Sequence, residues 1–152
     1  MNIFLAILLV LHVLIGVIGV FLFGGVALGL FRKNISVRML KSFSFLGLIA
    51  FLTAWTLGGY YYVVYYGSKV KPIIKAGNMP WAHSIVMEAK EHIFLFMPFL
   101  AFVSVISIWL LRENLNEMPK FRNAVALVSL TVFIIGILMA LAGIVISGAA
   151  TV

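Results

Sequence analysis

Four long apolar segments, separated by short polar stretches, dominate the pattern along this chain. They cover about residues 2–31, 42–66, 82–111 and 123–150. Each is long enough to cross a bilayer as a helix, which requires about 20 apolar residues. The connections between them are too short to hold a soluble domain. The pattern therefore predicts an all-α protein whose single domain is a transmembrane four-helix bundle.

The composition strengthens this prediction. Hydrophobic residues make up 64% and charged residues 10% of the 152 positions, and the mean hydropathy is +1.22. Charged residues form about a quarter of a typical soluble domain. The first segment has no basic residues in front of it and is about twice as long as the apolar part of a signal peptide, so we expect a retained span. The expected location is the cytoplasmic membrane of a bacterium or archaeon.

The formal net charge of +7 points to membrane topology and anionic headgroups rather than to nucleic acid. The second connection carries Lys69, Lys71 and Lys75. The first and third connections together carry more bases than the second, so the positive-inside rule places both of them in the cytoplasm and both termini on the outer side. Their basic residues are Arg32, Lys33, Arg38, Lys41, Arg112, Lys120 and Arg122.

Cysteine is absent from the sequence. This excludes disulfides, thiolate metal sites, covalent haem attachment and iron–sulfur clusters held by cysteine. A bound metal would have to use His, Met, Glu or Tyr side chains.

Ionisable residues enter the third segment between Pro80 and Pro98, and His12 is the one residue of comparable depth in the other segments. Such groups are costly in lipid and usually face a bundle interior. His12 and His92 each lie about ten residues from the outer end of their segment, or roughly 15 Å at 1.5 Å per residue. Two imidazoles at equal depth on different helices can bind haem b from both faces. We therefore predict His12 and His92 as metal ligands.

Further residues are candidates for contact with a cofactor. Gly16 and Gly19 share a helix face with His12, and such a face admits either a flat cofactor or a neighbouring helix. His83, near the outer interface, is either an ordinary interfacial residue or a partner of a haem propionate, a second haem or a metal. Lys69 is a further candidate for contact with a cofactor.

Other polar residues keep two interpretations each. One interpretation is a proton relay or ion pair beside a redox site, formed by Glu88, Lys90 and Glu91. The other is that these charges simply lie near the headgroups. Tyr60 and Tyr62 are candidate quinone contacts, although tyrosines at this position are typical of an aromatic belt.

This layout resembles the small four-helix membrane haem proteins of the copper-resistance D-like and oxygen-independent protoporphyrinogen oxidase type. The first connection lacks the acidic and His residues expected of the oxidase. The resemblance therefore implies a membrane protein that binds haem b rather than a particular reaction. The matching pieces are Leu11-His12-Val13 and Trp81-Ala82-His83, with Lys90 and His92.

The sequence thus predicts a membrane b-type cytochrome, or a haem-binding anchor subunit that transfers electrons, rather than a stand-alone enzyme. Other redox subunits or further copies of the chain are the expected partners within the lipid. Two alternatives stay open. One is a transporter of protons or metal ions that uses His12, Glu88, Glu91 and His92. The other is a structural subunit of a membrane complex without a cofactor.

Overall fold

The computed structural model describes residues 2–32 and 36–151, without the side chains at 112 and 113. Lys33, one of the bases behind the predicted sidedness, lies outside the described residues. Within these ranges the chain forms four long helices and no strand. All four are long and apolar enough to cross a membrane, which confirms the predicted all-α membrane architecture. The helices are α1 (Ile3–Phe31), α2 (Val37–Ala76), α3 (Ala82–Leu111) and α4 (Pro119–Ala149).

The helices begin at recognisable start signals. The Asn2 side chain accepts a hydrogen bond from the Leu5 amide at 2.9 Å, and Ser36 caps α2 in the same way. Pro119 opens α4, where its missing N–H costs nothing. Because Ser36 and Pro119 act as start signals, α2 and α4 begin about one turn earlier than hydropathy predicts.

The second helix extends well past the predicted end of the second span near residue 66. It is π-helical over Tyr62–Val70 and α-helical again over Lys71–Ala76. Pro72 lies in the first turn of that last piece, a position that tolerates proline. The third helix also begins with a π-helical segment, Ala82–Met87, before its α-helical part. Two π-helical segments therefore flank the short turn between α2 and α3.

The helices pack in a ring in which α1 contacts α2 and α4, and α3 contacts both as well. We call the end that holds the first and third connections the basic end, and the opposite end the terminal end. Three apolar clusters follow one another between these ends. The basic end holds Val26, Leu30, Leu40, Ile108 and Leu115; the middle holds Phe23, Phe51, Met97 and Val132; the terminal end holds Tyr66, Ile74, Ala82, Ile146 and Ala149.

Large apolar side chains also cover the outside of the bundle. Ile3, Val63 and Leu110 are among the most exposed. A soluble protein rarely shows apolar surface on this scale. The exposed helix faces are therefore the surface that contacts lipid in an integral membrane protein.

Candidate functional site

A buried pair of polar side chains joins the two π-helical segments at the terminal end. The Tyr66 hydroxyl lies 3.0 Å from Nδ1 of His83, and the two residues are only 3% and 1% exposed. Nε2 of His83 is buried as well and has no hydrogen-bond partner among the described residues. His83 is therefore a core residue of the terminal end rather than a side chain that reaches water.

Tyr62 and Glu91 continue this polar region toward the middle of the bundle. The Tyr62 ring stacks on the Tyr66 ring with centroids 5.2 Å apart, and the Tyr62 hydroxyl faces the Glu91 carboxylate. Oε1 of Glu91 is buried without a partner in the described part of the chain. We call Tyr62, Tyr66, His83 and Glu91 the polar cluster.

Lys90 leaves α3 in a different direction from Glu91. Its side chain is half-buried and runs to α4, where Nζ lies 3.3 Å from the position that a Cβ on Gly143 would occupy. The Lys90 ammonium group therefore packs against α4.

His12 occupies a contact between α1, α2 and α3. Its Nδ1 lies 2.7 Å from the Ala54 carbonyl oxygen, and its ring approaches Phe94 edge-on with centroids 6.3 Å apart. A Cβ on Gly58 would come within 2.6 Å of two imidazole atoms, so the ring needs a glycine there. Gly58 was not among the predicted contacts, because its only signal in the sequence is a Gly-Gly pair in a membrane helix.

His92 lies on a different face of α3 from Phe94, the residue that contacts His12. It is exposed, and its Nδ1 lies 2.7 Å from the Glu88 carbonyl oxygen one turn earlier. Phe94, which contacts His12, is two positions further on and so about 200° around the helix from His92. Within one chain the structure therefore does not bring His12 and His92 to opposite faces of a common ring. The exposed Glu88 side chain likewise lies outside the polar cluster.

The two imidazoles nevertheless share one feature. A backbone carbonyl can only accept a hydrogen bond, so Nδ1 of His12 and Nδ1 of His92 are both donors. In the neutral ring Nε2 is then the unprotonated nitrogen, which is the atom able to bind a metal. Across the described residues, no group of three or more His, Asp or Glu side chains is arranged to hold a metal ion.

The other predicted contacts pack against neighbouring helices or are exposed. Gly16 and Gly19 are covered by α2, since a Cβ on Gly19 would meet Phe51 at 2.9 Å. This glycine face serves helix packing. Lys69 is exposed, and the half-exposed Tyr60 packs edge-on against Phe4 with centroids 6.4 Å apart.

Comparison of the chain with protein-family models, curated proteins and solved structures found no match. Its function is therefore argued from the polar side chains and their surroundings.

Proposed function

We propose that this integral membrane protein relays protons between the terminal end and the interior of its bundle through the polar cluster. The observation that carries the proposal is a pair of buried atoms, Nε2 of His83 and Oε1 of Glu91, that have no hydrogen-bond partner within the described ranges of the chain. Leaving such atoms unpaired away from water is costly. A water molecule between the helices would pair with such an atom and would provide a path for a proton. Titratable groups inside a membrane commonly serve this purpose.

The chemistry of the cluster suits proton exchange. A proton taken up at Nε2 of His83 produces the imidazolium, which can release its Nδ1 proton to the Tyr66 hydroxyl oxygen. Tyr66 passes on its own hydroxyl proton in the same step, so charge and atoms balance. Through bridging water and the Tyr62 hydroxyl, the proton reaches Glu91, whose carboxylate becomes neutral. A neutral carboxyl can then donate where the carboxylate only accepted.

The position of the cluster argues for a path through half of the bundle. Between it and the basic end lies the apolar middle cluster with Phe23, Phe51, Met97 and Val132. Further on, the buried hydroxyls of Ser104 and Ser129 bond to each other at 2.7 Å. A relay that stops at Glu91 would deliver protons to a redox site or partner subunit within the membrane. It would not conduct ions across the membrane.

Infrared spectroscopy of the protein in lipid nanodiscs tests the relay. After a rapid pH change, we expect the carbonyl band of protonated Glu91 to respond, and Glu91→Gln to remove this band. His83→Ala should slow the response by at least about a hundredfold, the lower end of the usual contribution of a proton-transfer group. Glu88→Gln is the matched control, because this exposed neighbour lies outside the cluster. A band that survives Glu91→Gln, or an unchanged rate in His83→Ala, would refute the proposal.

Proton flux separates the relay from a transmembrane transporter. Liposomes that contain the protein and a trapped pH dye should acidify no faster than protein-free liposomes, because the middle of the bundle is apolar. Flux that depends on the gradient would instead support the transport of protons or metal ions across the membrane.

A second candidate, binding of haem b, is favoured by the hydrogen bonds of His12 and His92. In both residues Nδ1 donates to a carbonyl and leaves Nε2 for a metal. Haem would supply reversible one-electron chemistry. Because one chain does not bring the two imidazoles together, we propose that a haem bound by both would require a second copy of the chain.

A reduced-minus-oxidised visible spectrum of the purified protein, with pyridine extraction, tests this candidate. Sharp low-spin b-type bands are expected, lost in His12→Ala and in His92→Ala but mostly retained in His83→Ala. A folded but colourless protein, or equal retention of haem by all three variants, would refute this ligand assignment.

The excess of basic residues at the basic end supports one further proposal, that this end faces the cytoplasm and both termini lie outside. Labelling of a single cysteine introduced at exposed Lys120 or at Lys75 in intact cells tests it. Labelling from outside at Lys120 alone would reverse the orientation.

A further inference from the structure

A pocket lies at the basic end, far from the polar cluster. It is an open pocket of about 390 Å³ between α2 and α3. Its walls combine cations at one side with aromatic rings at the other. The pocket is lined by Val37, Arg38, Lys41, Ser42, Phe45 and Trp109.

We propose that this pocket binds the headgroup of an anionic phospholipid. Arg38 and Lys41 are three residues apart near the start of α2, so they share a helix face. A guanidinium can bind two phosphate oxygens at once, and the Ser42 hydroxyl offers a further donor. Both residues line the pocket and Arg38 is exposed, so their charges can meet an external anion.

One aromatic ring of the pocket contacts the Lys41 ammonium group. Nζ of Lys41 lies 5.6 Å from the centre of the Trp109 ring, within the range of a cation–π contact. Phe45 and Trp109 lie 6.3 Å apart between ring centroids, and each is 47% exposed. The pocket thus presents positive charge toward the end of the bundle and apolar rings toward its middle.

This order of charge and apolar surface matches a lipid better than free phosphate. The apolar wall continues along α2 into the exposed side chains of Ile49 and Leu52, which would lie beside acyl chains. Basic pockets between membrane helices are known to recognise anionic headgroups. A soluble anion would bind the two cations but would make no contact with Phe45 or the apolar surface beyond it.

Native mass spectrometry of the intact protein tests the site. The protein is released from micelles that contain phosphatidylglycerol and phosphatidylcholine. We expect one retained phosphatidylglycerol, and Arg38→Gln/Lys41→Gln should weaken its retention by roughly thirtyfold, the effect of two charges near an anionic surface. Arg32→Gln/Lys120→Gln is the matched control, because it removes one Arg and one Lys that are exposed at the same end but lie outside the pocket. Equal loss in both double variants would refute a defined site.

Two further experiments distinguish binding of a lipid from binding of free phosphate. Excess inorganic phosphate should not displace the bound lipid, and displacement would show that the pocket recognises the phosphate ion alone. Brominated phosphatidylglycerol should quench Trp109 fluorescence more strongly than brominated phosphatidylcholine, in a variant whose other tryptophans are Phe. Equal quenching by both lipids would overturn selectivity for the anionic headgroup.

Discussion

The contact between His12 and Gly58 allows a sharp prediction, because its neighbour Gly59 is a natural control. A Cβ on Gly58 would lie 2.6 Å from Cε1 and from Nδ1 of His12, whereas a Cβ on Gly59 meets nothing within 4 Å. Favourable carbon contacts occur at about 3.5 to 4.0 Å. In Gly58→Ala the imidazole must therefore move by about 1 Å, away from the Ala54 carbonyl to which it is bonded.

The expected cost follows from the parts of this contact. Overpacking of a tight contact costs about 1–3 kcal/mol. The interhelical hydrogen bond contributes about 0.6 kcal/mol, and at most about 1.7, in a membrane protein. Alanine in a helix recovers about 0.5–1 kcal/mol relative to glycine. Gly58→Ala should thus destabilise the bundle by about 1–4 kcal/mol, whereas Gly59→Ala should be neutral or stabilising by up to about 1 kcal/mol.

Unfolding of the two variants by SDS in mixed micelles, followed by circular dichroism, measures this difference. Repeating Gly58→Ala in a His12→Ala background isolates the contact, because without the imidazole the new methyl group has space. Equal midpoints for Gly58→Ala and Gly59→Ala would refute the reasoning. The same conclusion would follow if the penalty of Gly58→Ala persisted without His12.

Two other substitutions test buried hydrogen bonds by the same unfolding assay. Ser104→Ala should cost about 1 kcal/mol or less, because Ser129 keeps its 2.9 Å bond to the Val125 carbonyl oxygen; a loss above about 2 kcal/mol would contradict this. Tyr66→Phe should cost about 1–3 kcal/mol, because both ring nitrogens of buried His83 then lack a partner. It should also change the ¹⁵N chemical shifts of His83, and unchanged shifts would show that this hydrogen bond is not formed.

Hydropathy predicted α1 and α3 nearly to the residue, because each is a long, mostly apolar stretch that ends just before an arginine. It failed at the far end of α2, where lysines, Pro72 and Gly77 lower the hydropathy and suggest a turn. The helix continues there because Tyr66 and Ile74 pack into the apolar cluster of the terminal end. That packing involves residues of α3 and α4, so no local pattern in α2 could reveal it.

For the polar residues too, the sequence predicted one property and the tertiary structure decided another. Their concentration in the third segment was visible in the sequence, because charges stand out in an apolar run. Their directions were not visible, since neighbouring residues of a helix differ by about 100°. Lys90 runs to α4, Glu91 faces Tyr62 and His92 faces outward, although the three are consecutive.

The sequence by itself determined that this is a helical membrane protein with four spans, and which of its residues are too polar to lie in lipid without a reason. These properties depend on composition and length, which are local. Only the tertiary structure decided that His83 is buried against Tyr66 and that Gly58 makes room for His12. It also decided that His12 packs between helices, whereas His92 faces outward from α3. Such relations depend on how each helix is rotated about its own axis, and this rotation is set by packing between residues far apart in the chain.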